Sequence, residues 1–381
     1  MKNLVISLGV LLSISLLIAC HTQKEKFKIE TSHIQKIDSL FKNYNKEDAF
    51  SGGVVITNYG EVLYENYFGL ADRTWNIPFN KEVKLDIASV NKSMIAVLVL
   101  KAVEEGKIML NDRLVNVFSK YTYEGNFHPN ITVHHLLSHT SGLPDYNAVA
   151  MELQQERFLK FKRLRFTNKE YINFISKLTP VGGPENQFYY SNFGYHLLTI
   201  LLEDIYEKPF ETILKENLTA PLGLKNTTSQ SSNEAIISKL APAYVYKKEK
   251  AEWNQNPFID LTLGRRIFST PEDLNRWGQV MDNSGYLSEK SLKLMKKNHS
   301  KDISKKISYG YGWVTVYENN YSEMGNLNIV KPYIIHGGST DGYKAMLINI
   351  NESEYVISFL SNVDKTRELE LAQRIVTILI K

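Results

Sequence analysis

A serine followed three residues later by a lysine is a minimal device for nucleophilic catalysis, because a serine hydroxyl needs an adjacent base. Two such pairs occur in this chain, Ser39 with Lys42 and Ser89 with Lys92. Residues three apart on a helix are neighbours, about 5–6 Å apart at Cβ, so either lysine can reach its serine. A lysine becomes a base when burial or another cation lowers its pKa. The settings separate the two pairs. Ser39 lies among Ile34, Ile37, Leu40, Phe41 and Tyr44, whose helical spacing marks an amphipathic surface helix over residues 30 to 45. Ser89 begins a long apolar helix that runs to about Glu105 and stops at Gly106. A helix N-terminus there adds partial positive charge beside a reacting carbonyl. Ser89 is therefore the candidate nucleophile and Lys92 its candidate base; the plain alternative is a serine cap on a core helix.

Two further patterns extend the constellation. Tyrosine-x-asparagine occurs at Tyr64, Tyr171, Tyr190 and Tyr317, but only Tyr190-Ser191-Asn192 lies between a Gly-Gly-Pro loop (182–184) and a helix start. The other three fall within strand-like or helix-like runs, as packing residues do. Tyr190 beside a lysine ammonium is expected to be pushed toward phenolate and to share the base work, with Asn192 holding Lys92 or a substrate amide. His336-Gly337-Gly338 ends a strand-like run. Glycines there let a substrate backbone approach the strand edge, and the Ser339 amide is then expected to face the Ser89 amide as a two-donor oxyanion hole.

The elements that must position these residues can be read from periodicity. Residues 54–58 and 61–69 form a hairpin around Tyr59-Gly60. Residues 131–137, 150–178, 193–206 and 209–217 are helix-like, and Ser269-Thr270-Pro271-Glu272-Asp273 reads as another helix start. Strand patterns return at 311–317, 332–336, 343–350 and 354–362, before a closing helix over 367–380. Closely spaced strands without intervening helices argue for antiparallel pairing. The expected fold is α+β: one antiparallel sheet from both chain ends (30–88 and 260–381), flanked by the first and last helices. An all-helical domain (89–259) is inserted, with the active site between the two.

Taken together and in this order, the three patterns resemble the serine β-lactamase and penicillin-binding-protein superfamily, in particular its class C β-lactamase-like and esterase-like branch. The Ser-x-x-Lys enzymes carry second and third elements in the places held here by Tyr190-Ser191-Asn192 and His336-Gly337-Gly338. Ile87 to Ser93, Leu136-Leu137-Ser138-His139-Thr140-Ser141-Gly142-Leu143, Pro221-Leu222-Gly223-Leu224 and Ser269 to Trp277 are also similar, so the resemblance spans roughly residues 30 to 381. It implies that Ser89 attacks an ester or amide carbonyl while Lys92 and Tyr190 take its proton. The Ser89 and Ser339 amides would hold the oxyanion, and water would release the acyl group without metal or organic cofactor. Asn192, His336, Gly337 and Gly338 would contact the substrate, a small molecule or peptide carrying an acyl group. A histidine in the third element is mostly neutral near pH 7. That favours a neutral ester or other acyl substrate over a β-lactam or peptide carboxylate.

The first twenty residues suggest where such an enzyme works. Lys2 precedes an apolar run from Leu4 to Ala19, shorter than the roughly 20 apolar residues of a bilayer span and suited to a signal peptide. It ends in Leu17-Ile18-Ala19-Cys20, similar to the lipobox of bacterial lipoproteins, and Cys20 is the only cysteine among 381 residues. The expectation is an exported monomer, lipid-anchored through Cys20 to the bacterial cell envelope, with residues 21–29 as a tether. Cysteine chemistry is then excluded. A net charge of +4 without a basic stripe argues against a nucleic-acid partner.

Rival readings are weaker. His135 and His139 stand four apart, but no glutamate follows the first, and Ser141-Gly142 ends any helix. These histidines are expected to cap or support the helical part rather than bind metal. No Gly-x-Ser-x-Gly is present, so a nucleophile elbow is not indicated. A non-catalytic lipoprotein that binds or senses peptidoglycan-like ligands is the alternative function, and probe labelling of Ser89 separates it from the enzyme.

Overall fold

The computed structural model describes residues 31–145, 167–230, 236–256, 265–283, 285–317, 320–340 and 342–380. The expected signal peptide, Cys20 and the expected tether lie outside the described residues, as does most of the helix expected over 150–178, of which Asn168–Ser176 is described. Among the described residues, no helix is long and apolar enough to cross a membrane.

A six-stranded antiparallel sheet joins the two ends of the chain. Its order is Val314–Val316, Tyr333–Ser339, Lys344–Ile350, Tyr355–Ser361, Gly52–Asn58, Glu61–Phe68. Each strand presents alternate residues to opposite faces. Val54, Ile56, Ile348, Ile357 and Phe359 face the terminal helices Thr31–Lys46 and Glu368–Ile380, packing with Phe41, Leu371 and Ile375. Leu347, Val356 and Leu360 face the other way, into a core shared with Leu274 and Trp277 of helix Pro271–Asn283. Gly278 lets that helix lie close to the sheet: a Cβ there would meet Val356 Cγ1 at 2.6 Å and Leu347 Cδ1 at 2.9 Å.

Helix Asn91–Glu104 is apolar on nearly every side and accordingly buried. It packs against helix Asn192–Tyr206, equally apolar through Leu197, Leu198, Ile200 and Leu201. Trp277 Nε1 donates to Ser93 Oγ at 2.8 Å, tying the buried helix to the sheet layer. These two helices and Val133–Leu137 follow the periodicity closely.

Two expectations need correction. The insert is not purely helical, since Thr228–Gln230 pairs with Arg266–Ser269 and a hairpin joins Ala243–Lys247 to Glu252–Asn256. These strands are short, and Glu252-Trp253-Asn254-Gln255-Asn256 lacks the apolar alternation that would announce one. The strand expected over 311–317 covers only Val314–Val316. Gly312 turns the chain at φ +74°, where a Cβ would strike the Lys92 carbonyl oxygen at 2.5 Å. That stretch is pressed against the helix carrying Lys92 instead of extending the sheet.

Candidate active site

Ser89 sits in a single 3-10 turn, Ala88–Val90, immediately before helix Asn91–Glu104. The turn is fixed from behind. Ala88 takes φ +48°, an uncommon conformation for a residue with a side chain, and its N–H donates to Asp86 Oδ1 at 2.7 Å. Asp86 in turn holds Arg266 in a buried ion pair, with Nε at 2.6 Å. Neither helix-capping position uses the Ser89 side chain, so the serine is not there as a cap.

Lys92 is 2 % exposed. Its Nζ lies 3.3 Å from Ser89 Oγ and donates to Asn192 Oδ1 at 2.8 Å. Burial drives its pKa down from 10.5 to about 7; the Asp145 carboxylate works against this and Arg266 adds to it. Lys92 therefore gives up its proton far more readily than an ordinary lysine. The Tyr190 ring lies 4.9 Å from Lys92 Nζ, and Tyr190 lines the same cavity as Ser89. The expected push toward phenolate does not occur. Burial raises the Tyr190 pKa well above its ordinary value, outweighing the opposing influence of the nearby Ser89 side chain, and Asp145 raises it further. Desolvation penalises the phenolate more than its polar surroundings stabilise it.

The third element arrives on strand Tyr333–Ser339, which runs through all of His336-Gly337-Gly338 and pairs Ser339 with Lys344. Gly338 touches the nucleophile turn. A Cβ there would meet Ile87 O at 2.5 Å, Ala88 Cβ at 3.0 Å and Ser89 N at 3.1 Å. Only a glycine lets the strand pass so close to the Ser89 amide. His336 is 3 % exposed. Its Nδ1 lies 2.7 Å from the Gly337 carbonyl, an acceptor, so Nδ1 carries the proton and Nε2 accepts from Tyr309 Oη at 3.0 Å. Burial and the Lys92 charge lower its pKa to about 3, leaving it neutral.

Ser89, Tyr190, His336, Gly337, Gly338 and Ser339 line one cavity of about 320 Å³, with Val314, Met324, Ile335, Met346 and Leu369 as apolar walls. Glu368 stands on its wall and lies 3.8 Å from Lys344 Nζ, which also donates to Ser339 Oγ at 2.6 Å. Ser39, by contrast, is exposed on helix Thr31–Lys46, and Lys42 pairs with Asp38 at 2.7 Å.

Asp145 escaped the sequence reading, while His139, expected to cap or support the helical part, also packs against the site. Asp145 accepts both the Asn192 N–H, at 3.1 Å, and Asn192 Nδ2, at 3.0 Å. His139, 1 % exposed, accepts the Ser191 N–H at Nδ1 and lays its ring 4.2 Å from that of Tyr190. Both belong to the loop after Leu137, where Gly142 at φ +71° presses on Gly182, leaving 2.1 Å between a Cβ and its carbonyl oxygen. The signal that could have found Asp145 is its place two residues beyond the Leu136–Leu143 segment of the resemblance.

His134, His135 and Glu185 each bring one potential ligand atom to within 4.8 Å of the others. His135, however, is part of a capping box: Thr132 N–H donates to its Nδ1 at 3.0 Å. Nε2 must then carry the ring proton and faces Glu185 Oε1 at 3.4 Å, which makes a helix cap of this group.

With this geometry in place, the family can be stated: residues 37–379 match the Beta-lactamase family, and the chain belongs to it. It is 25% identical over 350 residues to penicillin-binding protein 4* of Bacillus subtilis (strain 168), covering 88% of this chain and 73% of that one. It is 24% identical to protein flp of Staphylococcus aureus (strain MW2), covering 90% of this chain but only 66% of the relative. The octameric penicillin-binding protein homologue from Pyrococcus abyssi shares the fold, with TM-score 0.77 and 23% identity over 91% of this chain and 77% of that one.

Proposed function

We propose that the protein is a serine hydrolase that works through an acyl-enzyme on neutral esters or amides. The observation that carries this reading is Ser89 Oγ lying 3.3 Å from a buried amine whose pKa is near 7. A base poised near the operating pH is what proton transfer from a serine requires. Neutral Lys92 takes the Ser89 proton as Oγ bonds to the substrate carbonyl carbon. The negative charge on the carbonyl oxygen falls between the Ser89 and Ser339 amides. The C–O or C–N bond then breaks, and the leaving alcohol or amine takes a proton from Lys92 through the Tyr190 hydroxyl. Tyr190 passes a proton without having to ionise, which suits its raised pKa. Water repeats the sequence on the acyl-enzyme and releases the acid.

The cavity favours an uncharged substrate. His336 is neutral, and Glu368 is the one charged residue lining the cavity among the described residues. Lys344 is engaged by the Ser339 hydroxyl and Glu368 rather than offered to a substrate carboxylate. A panel of p-nitrophenyl esters, D-alanyl peptides and nitrocefin tests this reading. The expected ranking is highest kcat/KM for a medium-chain p-nitrophenyl ester; preference for nitrocefin or a free peptide carboxylate would reverse it.

Gly338→Ala probes the oxyanion hole. A methyl group 2.5 Å from Ile87 O must push the strand off the nucleophile turn. Loss of one oxyanion donor costs about 10²–10³-fold in kcat, so a drop of that size is expected in ester hydrolysis. Unchanged turnover in a folded Gly338→Ala variant would remove this strand from the mechanism.

A further inference from the structure

Asn192 meets Lys92 through its carbonyl oxygen, yet an asparagine amide can turn either end toward a neighbour. A carbonyl facing Lys92 stabilises the ammonium and accepts from it, whereas an amide N–H₂ in its place would oppose the protonated form. What settles the orientation is the group on the other side. Asp145 offers only acceptors there, and its Oδ2 takes Asn192 Nδ2 at 3.0 Å while its Oδ1 takes the Asn192 backbone N–H at 3.1 Å. With Nδ2 bound to the carboxylate, Oδ1 must point to Lys92, where it lies 2.8 Å from Nζ. The carboxylate itself is well placed. It follows Pro144, whose carbonyl accepts from Ser191 Oγ at 2.8 Å, and it stands at the N-terminus of the 15-residue helix Asn192–Tyr206. Negative charge is stabilised at that end of a helix.

We propose that Asp145 is the positioning residue of this site, holding the Asn192 amide with its carbonyl toward Lys92 and placing a negative charge behind that amine. This rests on the reading of Lys92 as the base and deepens it, because the same carboxylate fixes both the lysine's partner and its proton affinity. The groups facing Lys92 account for the balance. Arg266 from the small sheet and the buried His139 and His336 surround it, the two imidazoles being neutral. Tyr190 and Tyr195 present protonated phenols, their rings 4.9 and 5.6 Å from Nζ. Asp145 is the group opposing desolvation at Lys92.

The test is a ¹³C-lysine NMR titration of the full chain, with the Lys92 resonance assigned by its absence in Lys92→Met. Asp145→Asn keeps the shape and removes the charge, and the Lys92 midpoint is expected to fall by roughly one pH unit. The acidic limb of the kcat/KM profile should move with it, and Asp145→Glu should restore both toward the wild-type positions. Where Asp145→Asn does not fold, Asp145→Ser, which keeps an acceptor for the Asn192 amide, is read in the same way. A Lys92 midpoint unchanged in a folded variant overturns the proposal, whatever the turnover. A lowered midpoint in a protein whose wild type hydrolyses nothing would instead uphold the positioning role and sink the hydrolase reading.

Discussion

Ser89→Ala is expected to lose at least about 10⁴-fold in ester hydrolysis, the scale on which a serine hydrolase loses its nucleophile, with almost no change in stability. The two halves of this result come from different features. The activity loss follows from the contact of Ser89 Oγ with Lys92 Nζ beside Tyr190, for which no other serine lining the cavity among the described residues substitutes. Ser339, the other cavity serine, is occupied as an acceptor from Lys344. The small stability change follows from the local structure. The Ser89 hydroxyl caps neither the 3-10 turn nor the helix, and its side chain is half-buried at the cavity wall. Ala88 and Asp86 hold the turn without it. Surface substitutions of this kind stay within about 0.5 kcal/mol, whereas a lost N-cap costs about 0.5–2 kcal/mol. A thermal melt beside the assay distinguishes a nucleophile from a cap.

Lys92→Met should separate function from stability in the opposite direction. Removing a general base costs about 10²–10⁴-fold in rate, and the variant is expected to be more stable than wild type at pH 6. Lowering the lysine from 10.5 to about 7 corresponds to a cost on the order of 4–5 kcal/mol for the charged form in the folded state. Against it stands about 1–3 kcal/mol for leaving the Asn192 carbonyl without its donor. The sign with pH follows from proton counting. Between about pH 7 and 10.5 the unfolded chain holds a proton on Lys92 that the folded chain has released, so this group makes stability rise with pH. Below about 7 it is charged in both states and the folded protein carries the whole cost. The gain in Tm from Lys92→Met is therefore largest at pH 6, shrinks above 7 and reverses toward pH 10. The same titration governs catalysis, since wild-type kcat/KM should climb through a midpoint near pH 7 as Lys92 becomes neutral. A wild-type profile flat from pH 5.5 to 8.5 would contradict a lysine base.

Which parts of this site could be read from the chain depends on how locally each is encoded. The Ser89–Lys92 contact is set by helical spacing alone, and the exposed Ser39 shows why that spacing needs a buried helix to mean anything. Strand His336-Gly337-Gly338 was legible as an element, while the reason for Gly338 was not: its constraint is the Ile87 carbonyl, about 250 positions away and far beyond the range of any local pattern. Tyr190 was placed but given the wrong ionisation, because its pKa depends on desolvation by residues from several elements. Asp145 escaped for a similar reason. Its partner Asn192 is 47 residues away, and a loop aspartate after proline looks like ordinary turn chemistry. The short strands near 228–256 carry too little apolar alternation to stand out. Gly312 shortened the Val314 strand through contact with a helix more than two hundred residues earlier.

The central claim is that Ser89 is an activated acyl acceptor, and the most direct measurement is covalent labelling of the intact protein with a fluorophosphonate, followed by peptide mass mapping. One adduct per chain is expected, on the peptide carrying Ser89, forming faster at pH 8 than at pH 6 and absent in Ser89→Ala and Lys92→Met. An adduct on another residue, or folded protein that stays unlabelled at pH 8, would contradict it.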